Sequence, residues 1–262
     1  MKKDQYVHLF QNKMIGLFLG DTDFPKIVLK RIKKLKKKYF IIDFSKNNSF
    51  AKEKNSYRIS IGKFGKIIDL IKKQKSNKVL FAGKIAKPKF STLRLDLKGI
   101  YYMPNIIKAA KQGDAAIIKA IIEILKNEKI EVISSIHFNS ELTGKKGNYT
   151  KIKPSVADIK SINQGIKYLD KTNSYDHIQA LVVKDRKIIA KEDNRGTKKM
   201  MSKLKNNSEG ILIKFPKKKQ DLRMDLPTIG IQTIKDCKKY GLKGIVLKSK
   251  KNIFLDRSKS IN

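Results

Sequence analysis

Short apolar runs that end in glycine or a polar turn, each followed by a lysine-covered stretch, constrain this chain more than any other feature. The run 14–20 (MIGLFLG) closes in Gly20, and 39–44 (YFIIDF) and 78–85 (KVLFAGKI) repeat the design. Runs this short and apolar throughout are those of strands buried on both faces. Between the first two, 25–38 sets Ile27, Val28, Ile32 and Leu35 on one helical side and lysines on the rest, so its charge run reads as a solvated helix face. A short strand, a glycine turn and a helix with Ile67, Ile68, Leu70 and Ile71 as its apolar side fill 56–75. Two helical segments around Gly113 and Asp114 fill 105–128, and 130–135 (IEVISS) is a further strand. Strands alternating with helices predict a parallel, doubly wound sheet. Ligands of such sheets gather at the carboxyl ends of the strands, here Gly20 to Pro25, Gly83 to Lys87 and the neighbourhood of His137.

The stretch 139–155 (NSELTGKKGNYTKIKPS) is polar and has no core pattern, which predicts a domain boundary. The expected domains are 1–145 and 146–262. The second restarts with a helix near 155–170, strand character over 180–193 with a turn at Asp185 and Arg186, and a helix at 197–205. The strand 210–215 (GILIKF) follows, then a helix at 230–240 that Gly241 stops, and two closing strands, GIVLKS and NIFLD. The N-terminal stretch 1–20 starts basic and turns apolar only briefly, without a small-residue cleavage pattern, and reads as leading into a first strand, not as a signal peptide.

The formal charge of +38 is the one composition figure that needs explaining. It fits nucleic-acid binding, an anionic membrane or substrate, or a coding bias. The surplus is nearly all lysine, beside abundant isoleucine and asparagine and no tryptophan. That is what AT-rich coding produces. Arginine, the better bidentate reader of phosphates and bases, is scarce, which argues against nucleic acid. The single cysteine, Cys237, excludes an intramolecular disulfide. No run approaches the roughly 20 apolar residues of a membrane span.

Several polar stretches stand where chemistry could occur. In 20–25 (GDTDFP) a strand-end glycine offers N–H groups to an anion, but no G-x-G-x-x-G follows. Asp21 or Asp23 either stands beside a metal-bridged phosphate or caps the helix that Pro25 opens. Gly83 and Lys84 form a plausible anion site that fails the Walker pattern. Asp114 sits where a helix cap would. Gly196 and Thr197 open a helix and can offer N–H and hydroxyl groups to a phosphate, or Thr197 is a plain cap. In 221–230 (DLRMDLPTIG), an extended backbone would set Asp221, Arg223 and Asp225 on one face. Arginine between carboxylates can hold a phosphate while the acids hold Mg²⁺. His8, His137 and His177 lack ligand spacing, and no nucleophile motif is present, so hydrolysis would use metal-activated water and no covalent intermediate.

The ordered series IGKFGKI (61–67), FAGKIAKP (81–88), KQGDAA (111–116), RGT (195–197) and QDLRMDLPTIG (220–230) resembles the UDP-2,3-diacylglucosamine diphosphatases of lipid A synthesis in Gram-negative bacteria, the type unrelated to calcineurin-like phosphatases. The similarity runs from Ile15 to Asp256, and QDLR with DLPTIG is its most specific part. The resemblance implies an N-terminal Rossmann-like parallel-sheet domain and a smaller C-terminal α/β domain. It implies a homodimeric, cytoplasmic hydrolase, peripheral to the anionic inner membrane surface, that cleaves a lipid-linked UDP-sugar to UMP and a sugar 1-phosphate with Mg²⁺ (or Mn²⁺). Water attacks the α-phosphorus. Asp225 is then the catalytic residue and a metal ligand. Asp23, Phe24, Pro25, Gly83, Lys84, Asp114, Gly196, Thr197, Lys214 and Arg223 are substrate contacts, with Asp221 as structural support. Lys214 or Arg223 can neutralise charge on the departing phosphate. Two departures stand out. The family's glycine run after the first strand is replaced by Gly20, Asp21, Thr22 and Asp23. Its Glu-Gly-Thr-Asp is replaced by Arg195, Gly196, Thr197 and Lys198, which keeps open a binding protein of the same fold that has lost turnover.

Overall fold

The structure, a computed structural model, describes residues 13–172, 178–217 and 220–261. The stretch 1–12, with His8, and His177 lie outside them. The chain divides into two compact units, Met1–Asn139 and Ser140–Asn262.

In the first unit, strands β1 (Ile15–Leu19), β2 (Tyr39–Asp43), β3 (Ser56–Tyr57), β4 (Lys78–Ala82) and β5 (Glu131–Val132) form one parallel sheet in the order β3-β2-β1-β4-β5. Helices α1 (Phe24–Lys34), α2 (Phe64–Lys73), α3 (Leu97–Gln112) and α4 (Asp114–Asn127) belong to its crossovers. Every residue of β1 is buried, as its uninterrupted apolar run requires of a central strand. α1 buries Val28, Leu29 and Ile32 and ends in Arg31, Lys33 and Lys34, so the lysines solvate its outer side. The chain lays β2 and β3 to one side of β1 and then crosses to β4 on the other. That reversal is the Rossmann-like switch point, and it opens a crevice at the carboxyl ends of β1 and β4.

Two expectations shift. α3 begins at Leu97, ahead of Pro104, because Asp96 caps it: its carboxylate accepts from the Gly99 amide at 2.8 Å and from the Lys66 amide of α2 at 3.0 Å. A capped start with tertiary support outweighs the one hydrogen bond that Pro104 removes. β5 is only two residues long, and the chain then turns through Ser135–His137. His137 consequently faces Lys78, Lys37 and Glu131 beside the amino-terminal edge of the sheet, not the crevice, and burial chiefly, with those two lysines, lowers its pKa.

In the second unit, β6 (Ala180–Lys184), β7 (Lys187–Lys191), β8 (Ile211–Lys214) and β10 (Gly244–Leu247) form a mixed sheet in the order β10-β8-β6-β7, beside a parallel pair of β9 (Thr228–Ile229) and β11 (Ile253–Phe254). Asp185 and Arg186 join β6 to β7 with φ of 48° and 61°, the paired positive angles of a tight hairpin turn. α5 (Val156–Thr172) covers one face, packing Leu169 on Leu181, Val183, Ile211 and Ile213. α6 (Thr197–Met201) and α7 (Ile231–Lys239) cover the other, where Met200, Met201 and Cys237 meet Ala180, Val182 and Leu212. Alternate strand residues thus supply the two cores. Gly241, at φ 63°, ends α7 as expected, and the Leu242 amide closes the turn onto the Cys237 carbonyl at 2.9 Å. A last short helix, α8, spans Arg257–Ile261. Among the described residues no helix is long and apolar enough to cross a membrane.

Candidate functional site

The crevice of the first unit is built from backbone. The loops leaving β1 and β4 are tied by reciprocal bonds, Asp21 N–H to the Lys84 carbonyl at 2.9 Å and Lys84 N–H to the Asp21 carbonyl at 3.0 Å. Gly83 has φ 86°, and a Cβ there would overlap the Asp21 carbonyl oxygen and the Pro25 ring, so only glycine fits. The expected groups Asp23, Phe24, Pro25, Gly83 and Lys84 are therefore brought together at the switch point. Neither aspartate caps α1: Asp23 makes no capping bond, and Asp21 accepts from the Lys46 amide at 3.0 Å. Asp23 is exposed and pairs with Lys26 at 3.6 Å. Asp114 opens α4 and reaches the segment after β4 through an ion pair with Lys87 at 3.7 Å. Thr22 holds φ 90°, a glycine-like angle forced on a β-branched residue. The backbone path is thus the one glycines would take, although the glycines are gone.

The site of the second unit is built from side chains. Glu192, directly after β7, is buried. Its carboxylate accepts from the Thr197 hydroxyl at 2.6 Å and the Gln179 amide at 2.9 Å. Lys214 ends β8 and donates from Nζ to the Thr228 carbonyl at 3.3 Å. Burial lowers the Lys214 pKa, and Glu192, Asp225 and Cys237 oppose that shift. Nearby carboxylate charge thus opposes the burial that disfavours an ammonium at the end of this core strand. Gly196, at φ 85°, and Thr197 open α6 beside Glu192. Cys237 is no thiolate nucleophile, because burial pushes its pKa up to about 12.

The motif 221–225 is a turn, not an extended segment. The Asp225 and Met224 amides both donate to the Asp221 carbonyl, at 3.0 and 3.2 Å, so the alternation that would have put three side chains on one face does not apply. Instead Asp221 holds Arg223 in a fork, Nε to Oδ1 at 2.9 Å and Nη2 to Oδ2 at 2.6 Å, and Arg223 chiefly lowers the Asp221 pKa. Asp225 lies near enough to Lys214 to bias its ionisation. Glu192 escaped the sequence reading, because a strand-end glutamate in a charged stretch carries no signal until Thr197 and Lys214 converge on it. The departures Arg195 and Lys198 are both exposed, and Arg195 forks onto Asp193, with Nη2 to Oδ2 at 2.5 Å.

Among the described residues no three His, Cys, Asp or Glu side chains cluster. Mg²⁺ asks for less: it keeps several waters and takes one or two carboxylates with substrate phosphates. Asp225 has a hard carboxylate of that chemistry, whereas the buried Glu192 already accepts from Thr197 and Gln179.

Fold and clusters together define a class: a Rossmann-like unit followed by a second α/β unit with a buried ionic cluster, a build suited to phosphorylated ligands. The family model of the LpxI N-terminal domain matches residues 14–142, and that of the LpxI C-terminal domain matches 145–262. A Caulobacter vibrioides protein named UDP-2,3-diacylglucosamine pyrophosphatase LpxI is 30% identical over 209 residues, covering 76% of this chain and 75% of that protein. The chain belongs to the LpxI family.

Proposed function

We propose that this protein is a hydrolase that cleaves the pyrophosphate of UDP-2,3-diacylglucosamine in lipid A synthesis. The observation that carries this reading is the 30% identity to a protein named for that activity. Water attacks the α-phosphorus; its oxygen enters UMP, the bond to the bridging oxygen breaks, and 2,3-diacylglucosamine 1-phosphate leaves with the electron pair. Asp225 would hold Mg²⁺ (or Mn²⁺). When bound, the ion supplies Lewis-acid polarisation of the phosphate and a more acidic water. Lys214, at which nearby carboxylate charge opposes the effect of burial, would as an ammonium neutralise negative charge that grows on the phosphates as the bond breaks. Arg223, already oriented by Asp221, offers a planar fork to a phosphate. At the crevice of the first unit, Gly83 and the Lys84 ammonium remain the expected contacts for an anionic group of the substrate. Turnover is favoured over a binding-only role because the two substituted positions, Arg195 and Lys198, are exposed. The protein works as a homodimer at the cytoplasmic face of the inner membrane.

Purified protein given the substrate and Mg²⁺ should release UMP, EDTA should stop it, and water carrying heavy oxygen should label the UMP and not the sugar phosphate. Asp225→Ala should lower the rate about 100-fold or more while substrate still binds. No UMP from the unaltered chain would overturn the reading; label in the sugar phosphate would overturn only the point of attack.

A further inference from the structure

α3 is apolar on two sides. Gly99, Met103 and Ile106 turn inward, and the last two pack with Phe64 and Ile124. The opposite side carries Leu97, 86% exposed, Ile100, 59%, Tyr101, 75%, and Ile107, 39%, together with exposed Pro104. At about 100° per residue these five fall within roughly a third of the helix circumference. The outer side of a surface helix is ordinarily polar; a contiguous apolar stripe there marks a place that meets something other than water. Exposed Lys108 and Lys111 continue the same side toward the helix C-terminus, and exposed Arg94 stands just before its start. Lys98 is turned away to Glu128.

We propose that this outward side of α3 docks on the surface of an anionic phospholipid bilayer, with Leu97, Ile100 and Tyr101 entering the headgroup–acyl boundary and Lys108 and Lys111 meeting lipid phosphates. A helix of 16 residues, about 24 Å long, lies in the membrane plane in this way, its apolar side about 5–10 Å deep. Tyrosine, with an apolar ring and a polar tip, suits that depth. Charge selects this occupant over a second copy of the chain. At this side of α3 a second copy would bring the same exposed Arg94, Lys108 and Lys111 against their like, whereas an anionic surface is attracted to them. Five outward side chains are also well short of the roughly 20–30 residues a side of a standard protein interface. The purpose of the docking rests on the lipid-linked substrate read above; its geometry does not.

The absence of tryptophan gives a direct test. In Tyr101→Trp protein the new indole is the sole one. Vesicles of phosphatidylglycerol and phosphatidylethanolamine, free of substrate, should shift its emission to the blue, and vesicles of phosphatidylcholine alone should not. Ile152→Trp, an exposed position in the other unit, should show no shift. Leu97→Gln/Ile100→Gln should lower co-sedimentation with the anionic vesicles about tenfold or more, with unchanged helix content and unchanged UMP release from detergent-dispersed substrate. Lys108→Glu/Lys111→Glu should lower it further in low salt than in high salt. No binding by the unaltered protein, binding undiminished in the α3 variants, or a dimer that Leu97→Gln/Ile100→Gln dissociates would each overturn the proposal. UMP release is read separately, so loss of docking and loss of the hydrolase reading are distinct outcomes.

Discussion

The two units make their polar sites by opposite means. The crevice of the first is backbone: two loops cross-bonded between Asp21 and Lys84, a glycine at φ 86°, and Thr22 strained to φ 90°. The cluster of the second is side chain: Glu192 buried and accepting from Thr197 and Gln179, with Lys214 near enough to Glu192 and Asp225 to feel both charges. A backbone site tolerates changes of side chain and fails on changes of conformation. A side-chain site tolerates neither loss of a charge nor loss of its partner, because each partner is what makes the other's burial affordable.

That contrast can be broken at both ends. After the loss of turnover expected at Asp225, the largest effect belongs to Gly83→Ala. It forces a Cβ into the Asp21 carbonyl and Pro25 ring and should cost about 2–4 kcal/mol of the first unit's stability, read as a fall in the urea midpoint. An effect below about 0.5 kcal/mol would show that the loops can move apart and that the crevice is not rigid backbone. Glu192→Ala comes next, because it strips an acceptor from the Thr197 hydroxyl and the Gln179 amide and a counter-charge from Lys214. A loss of about 2–3 kcal/mol is expected, with Glu192→Gln losing less, since an amide oxygen can still serve Gln179. Equal losses in the two variants would mean that the negative charge, not the acceptor oxygen, carries the effect; no loss in Glu192→Gln would mean that the charge is irrelevant there.

Glu128 tests whether the first unit also depends on a shielded carboxylate away from its crevice. Its bond from Lys98, with help from Lys72 and Tyr102, holds its pKa at about 2 against an ordinary 4.5. A depressed carboxylate stabilises the fold fully above the unfolded value, and that contribution is lost as pH falls from 4.5 toward 2. Glu128→Gln should therefore unfold more easily than the unaltered chain near neutral pH, by about 2 kcal/mol. The difference should narrow across that acid window in thermal melts. A gap independent of pH would assign the loss to packing. The smallest effect is a gain: Thr22→Gly should relieve the φ 90° strain and stabilise by about 0.5–1 kcal/mol, the relief being partly offset by the freer unfolded chain. Destabilisation would mean that the Thr22 side chain contributes more than its strain costs.

How far sequence reaches varies along the chain for identifiable reasons. β1, β2 and β4 were plain because a strand buried on both faces has to be apolar at every position. The Asp185 and Arg186 turn was marked by polar residues breaking an apolar run. α3 was placed too late because Pro104 is a local signal, while the cap that starts the helix acts partly through Lys66, some 30 residues away. His137 was misplaced because nothing local says that β5 stops after two residues. The motif around Asp225 was identified by resemblance, but its conformation was not, since Asp221 and Arg223 close a turn as readily as they flank a strand.

The sequence by itself determined the alternation of elements, the parallel sheet and the glycine positions at strand ends, because hydrophobic period and backbone sterics act over a few residues. Only the tertiary structure decided that Glu192 and not Arg195 is buried, that Asp225 approaches Lys214, and that one side of α3 is left apolar and outward. Those are pairings between segments distant in the chain, and burial and charge acquire their energies only once distant segments have excluded the water between them.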